Sequence, residues 1–508
     1  MQRNYKIMIK YMMYILVVLV VHDMSAQTYV NVNADSGGNG NSWATAYNNL
    51  QTAINNSSNG TEVWVASGRY LTTATSDRNI SFTMKEGVSL YGGFIGTEVS
   101  LEQRDIKANR TILSGEIGDT TDFSDNSYHV IRNKENGIST NTELDGFIVS
   151  DGNASDPEPN ERGGGMFNKG ASPTIRNCTF INNGAQFGAG IYNLGGSNPV
   201  IRDCRIIQNE ASEVCGGIYN FLNCNPKVYN CIIAGNLANG ELSGALYNFL
   251  STAEYTNCLI SGNEAKLGAT CYNTNGSLAR FINCTVVGNS ASELCSGIYN
   301  VNSDTEIINS IFWYNRNLDI PEDQLIINTL NSTSIVRYSL IENLNISDGQ
   351  NLAGLNSDNA PIFIDPIDYE LAPNSDGDYR LQRITSVVDA GDAIFNNEQF
   401  DLEGKERIIN GSIDLGCYEF SNLTSSSISH PIVKTLIFPN PCEQYITLKS
   451  TEPITTIVIH DSSGKKLILK TGLAKSTYKL NLDQLVPGMY FMEILMSKEK
   501  QVKKIVKL

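Results

Sequence analysis

Asn-Cys-Thr-Phe-Ile-Asn-Asn, at residues 177–183, begins a pattern that the chain repeats at a nearly constant interval. Successive copies of its Asn-Cys pair lie 26, 27, 27, 26 and 26 residues apart and end in the degenerate pair Asn309-Ser310. Two other residue types recur at about the same interval, and we call each such set of equivalent positions a column. The asparagine column comprises Asn183, Asn209, Asn236, Asn263, Asn289 and Asn315. The tyrosine column comprises Tyr192, Tyr219, Tyr247, Tyr272 and Tyr299. A period of this size is typical of a solenoid.

Each repeat predicts short strands rather than helices. Apolar residues alternate at period two, as in Cys178 and Phe180, and Gly, Asn and Pro separate the runs. Ile175 and Cys178 both face inward only if the chain turns a corner at Asn177, a residue type that tolerates left-handed backbone. One repeat is then one coil, stacked about 4.8 Å from the next through parallel strands. The sequence therefore predicts an all-β fold, a right-handed parallel β-helix.

We place this β-helix at residues 27–420, with its clearest repeats at 163–316 and irregular final coils at 317–420. The first coil needs a cap, because an open coil presents unpaired strand edges. Apolar residues at helical spacing predict a capping helix over residues 44–55, with Ser42 as its N-cap.

The amino-terminal residues predict a signal peptide at 1–26. Basic residues precede an apolar run at 12–21, and small residues precede a cleavage site between Ala26 and Gln27. A membrane anchor is the alternative, but the apolar run is about half the length that a span needs. We expect export to the periplasm and no transmembrane span in the mature chain.

Overall charge limits the partners. Lys and Arg number 37 against 53 Asp and Glu, so the net charge is −16. Such a chain repels phosphate backbones, and we expect no nucleic-acid partner.

The carboxy-terminal residues form a separate domain, at 432–508, after a Ser- and Thr-rich linker at 421–431. Residues 431–508 carry 12 Lys and 6 acidic residues, opposite in charge to the rest of the chain, and short strand-like runs predict a small β-sandwich.

This domain resembles the type A sorting domain of the type IX secretion system of Bacteroidetes. The matching residues include Pro439, Asn440, Pro441, Gly488, Tyr490, Lys504 and Lys507. The family pattern usually opens with Tyr where this chain has Phe438. The resemblance implies that the secretion machinery is a partner and that the protein is secreted or displayed on the outer-membrane surface.

Two other stretches carry weaker resemblances. The Gly-rich segments at 37–46 and 91–98 and the Tyr-Asn coils look like pectate-lyase-like β-helix proteins and polymorphic outer-membrane repeats. Residues 378–381, 389–392 and 414–419 look like the choice-of-anchor Q region of bacterial surface proteins. Neither family implies one particular reaction, because this fold carries enzymes and adhesins alike.

The repeated cysteines predict a ladder of buried thiols rather than disulfides. Cys178, Cys204, Cys231, Cys258 and Cys284 share one inward column, where parallel side chains point the same way. Only His129, His430 and His460 follow the signal peptide, and no Cys-x-x-Cys pair occurs, so we expect no zinc site.

The tyrosine column is the strongest candidate for ligand binding. Because side chains alternate between the two faces of a strand, the residues that follow inward-facing apolar positions point outward. These residues are Tyr192, Tyr219, Tyr247, Tyr272 and Tyr299, and a strip of their rings can stack on sugars. Packing beneath a loop is the alternative.

A catalytic interpretation rests on Arg176, Arg202 and Arg205. Arg176 and Arg202 share an outward column and Arg205 lies close by, so the three can form a basic site for an acidic sugar, as a polysaccharide lyase needs. Ordinary surface solvation explains them equally.

Acidic residues offer two places for calcium, and the sequence does not choose between binding and solvated or capped turns. One is the column Glu213, Glu241 and Glu293; the other is the group Asp389, Asp392, Asp401 and Asp414 around Arg407.

The leading hypothesis is a secreted or cell-surface β-helix protein without catalysis, in adhesion or contact with a polysaccharide or host glycan. The alternative is a carbohydrate-active enzyme, a lyase or glycoside hydrolase acting on acidic polysaccharide. No cofactor is required by either, with calcium left open.

Overall fold

The structure is a computed structural model that describes residues 26–317, 324–345, 349–356, 359–382, 385–409, 411–420, 435–438, 445–460, 465–482, 484–486, 488–496 and 500–507. The chain divides into two compact units, Met1–Ser421 and Asn422–Leu508. Residues 1–25 of the predicted signal peptide, the linker at 421–431 and the motif residues Pro439, Asn440 and Pro441 lie outside the described residues.

The first unit is the predicted parallel β-helix, which is confirmed. From Glu143–Asp145 to Ile326–Thr329, each coil passes through four parallel sheets in the same order, and residues one coil apart pair in register. The coils before and after this part contribute strands to only some of the sheets.

The first sheet has 11 strands: Gln27–Val30, Glu62–Ala66, Ser89–Phe94, Glu143–Asp145, Thr174–Arg176, Val200–Arg202, Lys227–Tyr229, Thr252–Thr256, Leu278–Ile282, Asp304–Ile308 and Thr333–Arg337. The second has 10: Gly68–Leu71, Thr111–Ser114, Phe147–Ser150, Thr179–Ile181, Arg205–Ile207, Ile232–Ala234, Leu259–Ser261, Thr285–Val287, Ile311–Trp313 and Leu340–Ile341.

The third sheet has 7 strands: Asn153–Ala154, Gly184–Phe187, Glu210–Val214, Leu237–Ala238, Glu264–Leu267, Ser290–Leu294 and Arg316–Asn317. The fourth has 8: Ile131–Lys134, Met166–Lys169, Ile191–Leu194, Ile218–Phe221, Leu246–Phe249, Cys271–Thr274, Ile298–Val301 and Ile326–Thr329.

The corner between the first and second sheets falls where the sequence predicts it. Asn177 has φ 50° and Asp203 has φ 57°, both in the left-handed region. Asn and Asp tolerate this region because their short polar side chains bond locally. The turn lets Ile175 and Cys178 both point into the coil, where they are fully buried.

The interior is filled by ladders of like side chains. The predicted thiol ladder is confirmed, because the described cysteines are buried and none of them is in a disulfide. Cys442 lies outside the described part. Two amide ladders run beside it, in which each side-chain nitrogen donates to the oxygen one coil on. Asn183 bonds Asn209 at 2.9 Å, and Asn193 bonds Asn220 at 2.9 Å. These bonds satisfy polar groups that would otherwise be costly to bury.

The amino-terminal cap is a shorter helix than predicted. A 3₁₀ turn at Trp43–Thr45 precedes the α-helix Leu50–Asn56, whose N-cap is Asn49 and not Ser42. The Asn49 side chain accepts the Thr52 amide proton at 2.8 Å, which satisfies a free donor of the first turn. Leu50, Ala53 and Ile54 cover the first coil, as expected from their spacing.

Residues 359–420 do not continue the coils, which corrects the prediction of final coils to residue 420. The last strand of the four sheets is Leu340–Ile341, and one further parallel bridge joins Leu340 to Leu352. We call residues 359–420 the arm. The arm contains 3₁₀ turns at Tyr369–Leu371 and Ala393–Phe395 and an antiparallel pair, Phe363–Asp365 with Asp378–Leu381.

The arm folds back over the outer face of the second sheet. Its Phe363 and Tyr379 pack against Leu259, Val287 and Trp313, which point out of the coils. Because a bare apolar stripe of this kind is unfavourable in water, it supplies the driving force for covering by the arm.

The second unit is an antiparallel β domain. Its five described strands are Thr435–Phe438, Tyr445–His460, Lys466–Asn481, Gly488–Met496 and Lys500–Lys507. The short runs predicted from the sequence merge in the two longest strands, whose mutual register shifts between Lys449 and Ile454. Ile457, Met492, Ile494 and Ile505 are among its core residues.

Candidate functional site

The tyrosine column is largely buried, which matches the packing alternative and not an exposed strip of rings. Tyr192, Tyr219 and Tyr247 are 2%, 7% and 7% exposed, and Tyr272 and Tyr299 are half-buried. The rings do point out of the coil and stack on one another, with centroids 4.4 Å apart between Tyr219 and Tyr247.

Apolar residues next to the third sheet cover these rings. Phe187, Val214 and Leu242 pack with them in one cluster. Burial raises the pKa of Tyr247 to about 12. The column therefore stabilises the fold by packing, and it presents no strip of ring faces to a sugar.

Arg176, Arg202 and Arg205 do not form one basic site, which corrects the catalytic alternative. Arg176 pairs with Glu143 at 2.9 Å on the first sheet. Arg202, its neighbour in register, is held by Glu398 of the arm at 2.7 Å, and this bond raises the pKa of Arg202. Arg205 is exposed on the second sheet. Each therefore lies in a different environment, and Arg202 is engaged by the arm.

The acidic residues around Arg407 cap turns. The Asp414 carboxylate accepts the amide protons of Asp389 and Phe420, and the Asp401 carboxylate accepts that of Glu419 at 2.9 Å. Arg407 is fully buried and pairs with Glu419 at 2.9 Å. This arrangement matches the turn-capping alternative.

The column Glu213, Glu241 and Glu293 is exposed to solvent. Within the described ranges, no group of three or more His, Cys, Asp or Glu side chains is placed to hold a metal ion. Calcium at either predicted place stays a hypothesis.

A cleft on the outer face of the third sheet combines an exposed aromatic ring with exposed polar side chains, which the tyrosine column does not. It is a cavity of about 360 Å³ whose lining includes Phe123, Asn153, Asn182, Gly184, Gln208 and Glu210. Phe123 is 45% exposed, and Asn182, Gln208 and Glu210 are exposed beside it. An aromatic face surrounded by amide and carboxylate groups can both stack on a ligand and hydrogen-bond to it.

Local geometry explains why Phe123 stands there. The 3₁₀ turn Phe123–Asp125 begins at Asp122, whose side chain accepts the Ser124 amide proton at 2.9 Å. The Asn153 amide donates to the Phe123 carbonyl at 2.8 Å. At Gly184, a Cβ atom would lie 2.8 Å from the Phe123 ring, so any other residue at this position would push the ring away from the strand.

The sequence analysis missed this cleft. Its one signal is Gly184, because a glycine inside a strand often marks a close approach of another group. The group itself, Phe123, lies outside the clear repeats, so the period could not identify it.

The sorting-motif residues meet in the second unit. The strand that begins at Gly488 pairs with the terminal strand, so that Gly488 lies opposite Lys507 and Phe491 lies opposite Lys504. Tyr490 is buried and its hydroxyl donates to the Val486 carbonyl at 2.6 Å. Two motif segments that are separate in sequence are therefore adjacent strands.

With this geometry established, comparisons identify the class of each unit. The profile described as right handed beta helix region matches residues 37–291, half of the chain, and the chain belongs to this family. The profile of the secretion system C-terminal sorting domain matches residues 436–508. This confirms the predicted type IX sorting domain, which indicates export to the cell surface or the medium.

Solved structures that are similar to this chain include proteins titled as a pectate lyase, a pectin methylesterase and a mannuronan C-5 epimerase. The pectate lyase Pel9A is 14% identical, covering 78% of this chain and 96% of its own, with a TM-score of 0.45. A pectin methylesterase from Aspergillus niger is 13% identical, covering 65% and 90%, with a TM-score of 0.29. The A-module of a mannuronan C-5 epimerase from Azotobacter vinelandii is 12% identical, covering 64% and 99%, with a TM-score of 0.26.

No curated protein matches the sequence. Across the ranges that the structure describes, no helix is long and apolar enough to cross a membrane.

Proposed function

We propose that this protein passes through the periplasm, leaves the cell by the type IX system, and binds a glycan at the Phe123 cleft without catalysis. The observation that carries the binding proposal is the half-exposed Phe123 ring at the edge of a cavity whose lining includes amide and carboxylate side chains. The sorting domain supports the export route.

The chemistry of the cleft favours a neutral sugar. A pyranose ring presents a face of C–H groups that stacks on an aromatic ring, and its hydroxyls pair with amides. Asn182 and Gln208 supply such amides in adjacent coils. Glu210 adds a carboxylate that accepts bonds from hydroxyls and repels uronates, so an acidic polymer is the poorer ligand here.

A retention experiment tests this proposal. The full-length protein is run in gels that contain neutral or uronate polysaccharides, and the retention of Phe123→Ala is compared with that of the unaltered chain. We expect Phe123→Ala to lose about two- to twelvefold in affinity, since aromatic stacking is worth about 0.5–1.5 kcal/mol.

Phe400→Ala is the matched control, because Phe400 lies on the arm and is 44% exposed, nearly the same as Phe123. It should leave retention unchanged. Equal retention of Phe123→Ala and the unaltered chain would remove the cleft as the binding site.

Catalysis on acidic polysaccharide is the second candidate, and one contact favours it. On the first sheet, the Tyr91 hydroxyl donates to Glu143 at 3.1 Å, and Glu143 also pairs with Arg176. Burial raises the pKa of Glu143, which suits a proton-transfer role, while Arg176 can attract a uronate. Ultraviolet absorbance from unsaturated products, lost in Glu143→Gln, would establish a lyase; no such absorbance would eliminate it.

A further inference from the structure

Several buried oxygen atoms meet at the base of the loop that carries Phe123. The loop runs from Glu116 to Asn126. Glu116 Oε1, Asp125 Oδ1 and both amide atoms of Asn126 are buried and have no hydrogen-bond partner among the described residues. Buried polar atoms are nearly always paired, so a cluster of unpaired ones calls for a water or an ion.

The three side chains lie at one place. Burial is the main cause that raises the pKa of the Glu116 carboxylate, and the charges of Asp151 and Asp125 add to it, while the charge of Arg69 and the nearby Asn126 amide lower it. No pair of atoms among them reaches hydrogen-bond geometry. Asn126 is fully buried and cannot turn to solvent, so its unpaired amide stays beside the Glu116 carboxylate, and a flip of the amide group presents its oxygen there.

We propose that Glu116, Asp125 and Asn126 bind a calcium ion. Two carboxylates and one amide oxygen are ligands of the type that Ca²⁺ prefers, and water completes its shell of six to eight oxygens. The ion would offset two negative charges that are now held close together. Oxygens supplied by an irregular loop suit the flexible shell of Ca²⁺ better than the near-octahedral shell that Mg²⁺ demands.

The remaining bonds hold the carboxylates in position. Asp125 uses its other oxygen, Oδ2, to accept the Asp119 amide proton at 2.9 Å, which leaves Oδ1 for the ion. Arg69 is the nearest competing positive charge, but its guanidinium bonds Asp151 at 3.0 Å and Ser114 at 2.8 Å. Calcium would therefore tie residue 116 to residues 125 and 126 and close the loop under Phe123.

Calcium titration of the full-length protein tests the site. The protein is dialysed against EDTA and titrated with CaCl₂ by calorimetry, and its unfolding temperature is measured with and without 5 mM CaCl₂. We expect a dissociation constant on the order of 10⁻⁴ M, in the range of extracellular calcium modules. Glu116→Gln and Asp125→Asn should each weaken binding at least tenfold and remove the calcium-dependent rise in unfolding temperature.

Asp122→Asn is the matched control, because Asp122 lies in the same loop and caps Ser124 from outside the cluster. It should bind calcium as the unaltered chain does. If the unaltered chain shows no calcium binding, or if both variants bind as tightly as the control, a buried water fills the cluster and the proposal is wrong. Two variants are used so that one remains informative if the other fails to fold.

The calcium site goes beyond the proposed glycan binding, and the two are tested separately. Phe123→Ala removes the ring from the cleft but leaves all three calcium ligands in place. It should therefore lose retention on glycan and keep calcium binding, whereas Asp125→Asn loses calcium whether or not the cleft binds a sugar.

Discussion

Arg202 binds the carboxylate of Glu398 through both terminal nitrogens, at 2.7 and 3.1 Å, across 196 positions of sequence. Glu398 also accepts a bond from Asn230 at 3.4 Å, so one arm residue joins two neighbouring coils. Asn309, further along the same corner, donates to the carbonyl of Asp392 at 3.0 Å. The arm is therefore fastened along the corner between the first and second sheets.

We predict that Glu398→Ala destabilises the β-helix by about 1–3 kcal/mol, because it removes a two-bond ion pair whose atoms are largely shielded from water. Urea unfolding gives the free energy, and limited proteolysis shows whether the arm is released. Glu306→Ala is the control, since the Arg280–Glu306 pair is more exposed and should cost less than about 1 kcal/mol. Equal costs for both variants would contradict the fastening role.

We predict that Tyr219→Ala and Tyr247→Ala each cost about 3–5 kcal/mol, as expected for removing a buried aromatic ring. Tyr219→Phe keeps the ring and should cost much less. Thermal unfolding measures both. An Ala variant as stable as the unaltered chain would show that the cluster does not support the fold.

We predict that denatured, unreduced protein titrates with close to the full number of thiols, since none of the ten described cysteines is in a disulfide. Cys231→Ser should cost about 1–2 kcal/mol through the smaller, more polar group. Ser310 already occupies the same column and donates to Ile308 at 2.8 Å, which keeps this cost modest. Few titrating thiols would mean that disulfides replace the ladder.

We predict that Glu419 makes stability fall as pH rises from about 4.5 to about 8. Burial is the main cause that raises the pKa of Glu419 to about 8, with Asp414 and Asp401 adding to it and Arg407 opposing it. The folded state then holds a proton that the unfolded state has lost, so unfolding is favoured in this window.

Glu419→Gln, which cannot ionise, should flatten that part of the pH profile by more than about 1 kcal/mol. Urea unfolding at pH 5.5, 7 and 8.5 compares the two proteins. Parallel profiles would show that Glu419 is ionised throughout.

We predict that deleting residues 432–508 leaves the β-helix folded and strands it in the periplasm, because the two units are separate and the sorting domain lies in the second. Cell fractionation and protease treatment of whole cells locate the product. Surface display at the normal level would contradict the sorting role. A Phe400→Ala chain is exported as usual in the same assay.

Most of the architecture of the first unit could be predicted from the sequence repeat. Coils contact only their neighbours, so the interval between Cys178 and Cys204, the alternation around them and the turn at Asn177 are enough to predict sheets, register and core. The sorting domain follows from local motifs for a similar reason, since Gly488, Tyr490 and the terminal lysines lie on two adjacent strands.

The alternation of apolar and polar residues along a strand predicts which side chains point out of the coil. It does not predict whether another segment of the chain covers them. Tyr219 points outward and is buried under Val214 and Leu242, and Leu259 points outward and is buried under the arm. Phe123 meets Gly184 across 61 positions in sequence, and Glu398 meets Arg202 across 196. Such contacts depend on where irregular segments pack after the coils form, which is why the cleft, the arm and the proposed calcium ligands emerge only in three dimensions.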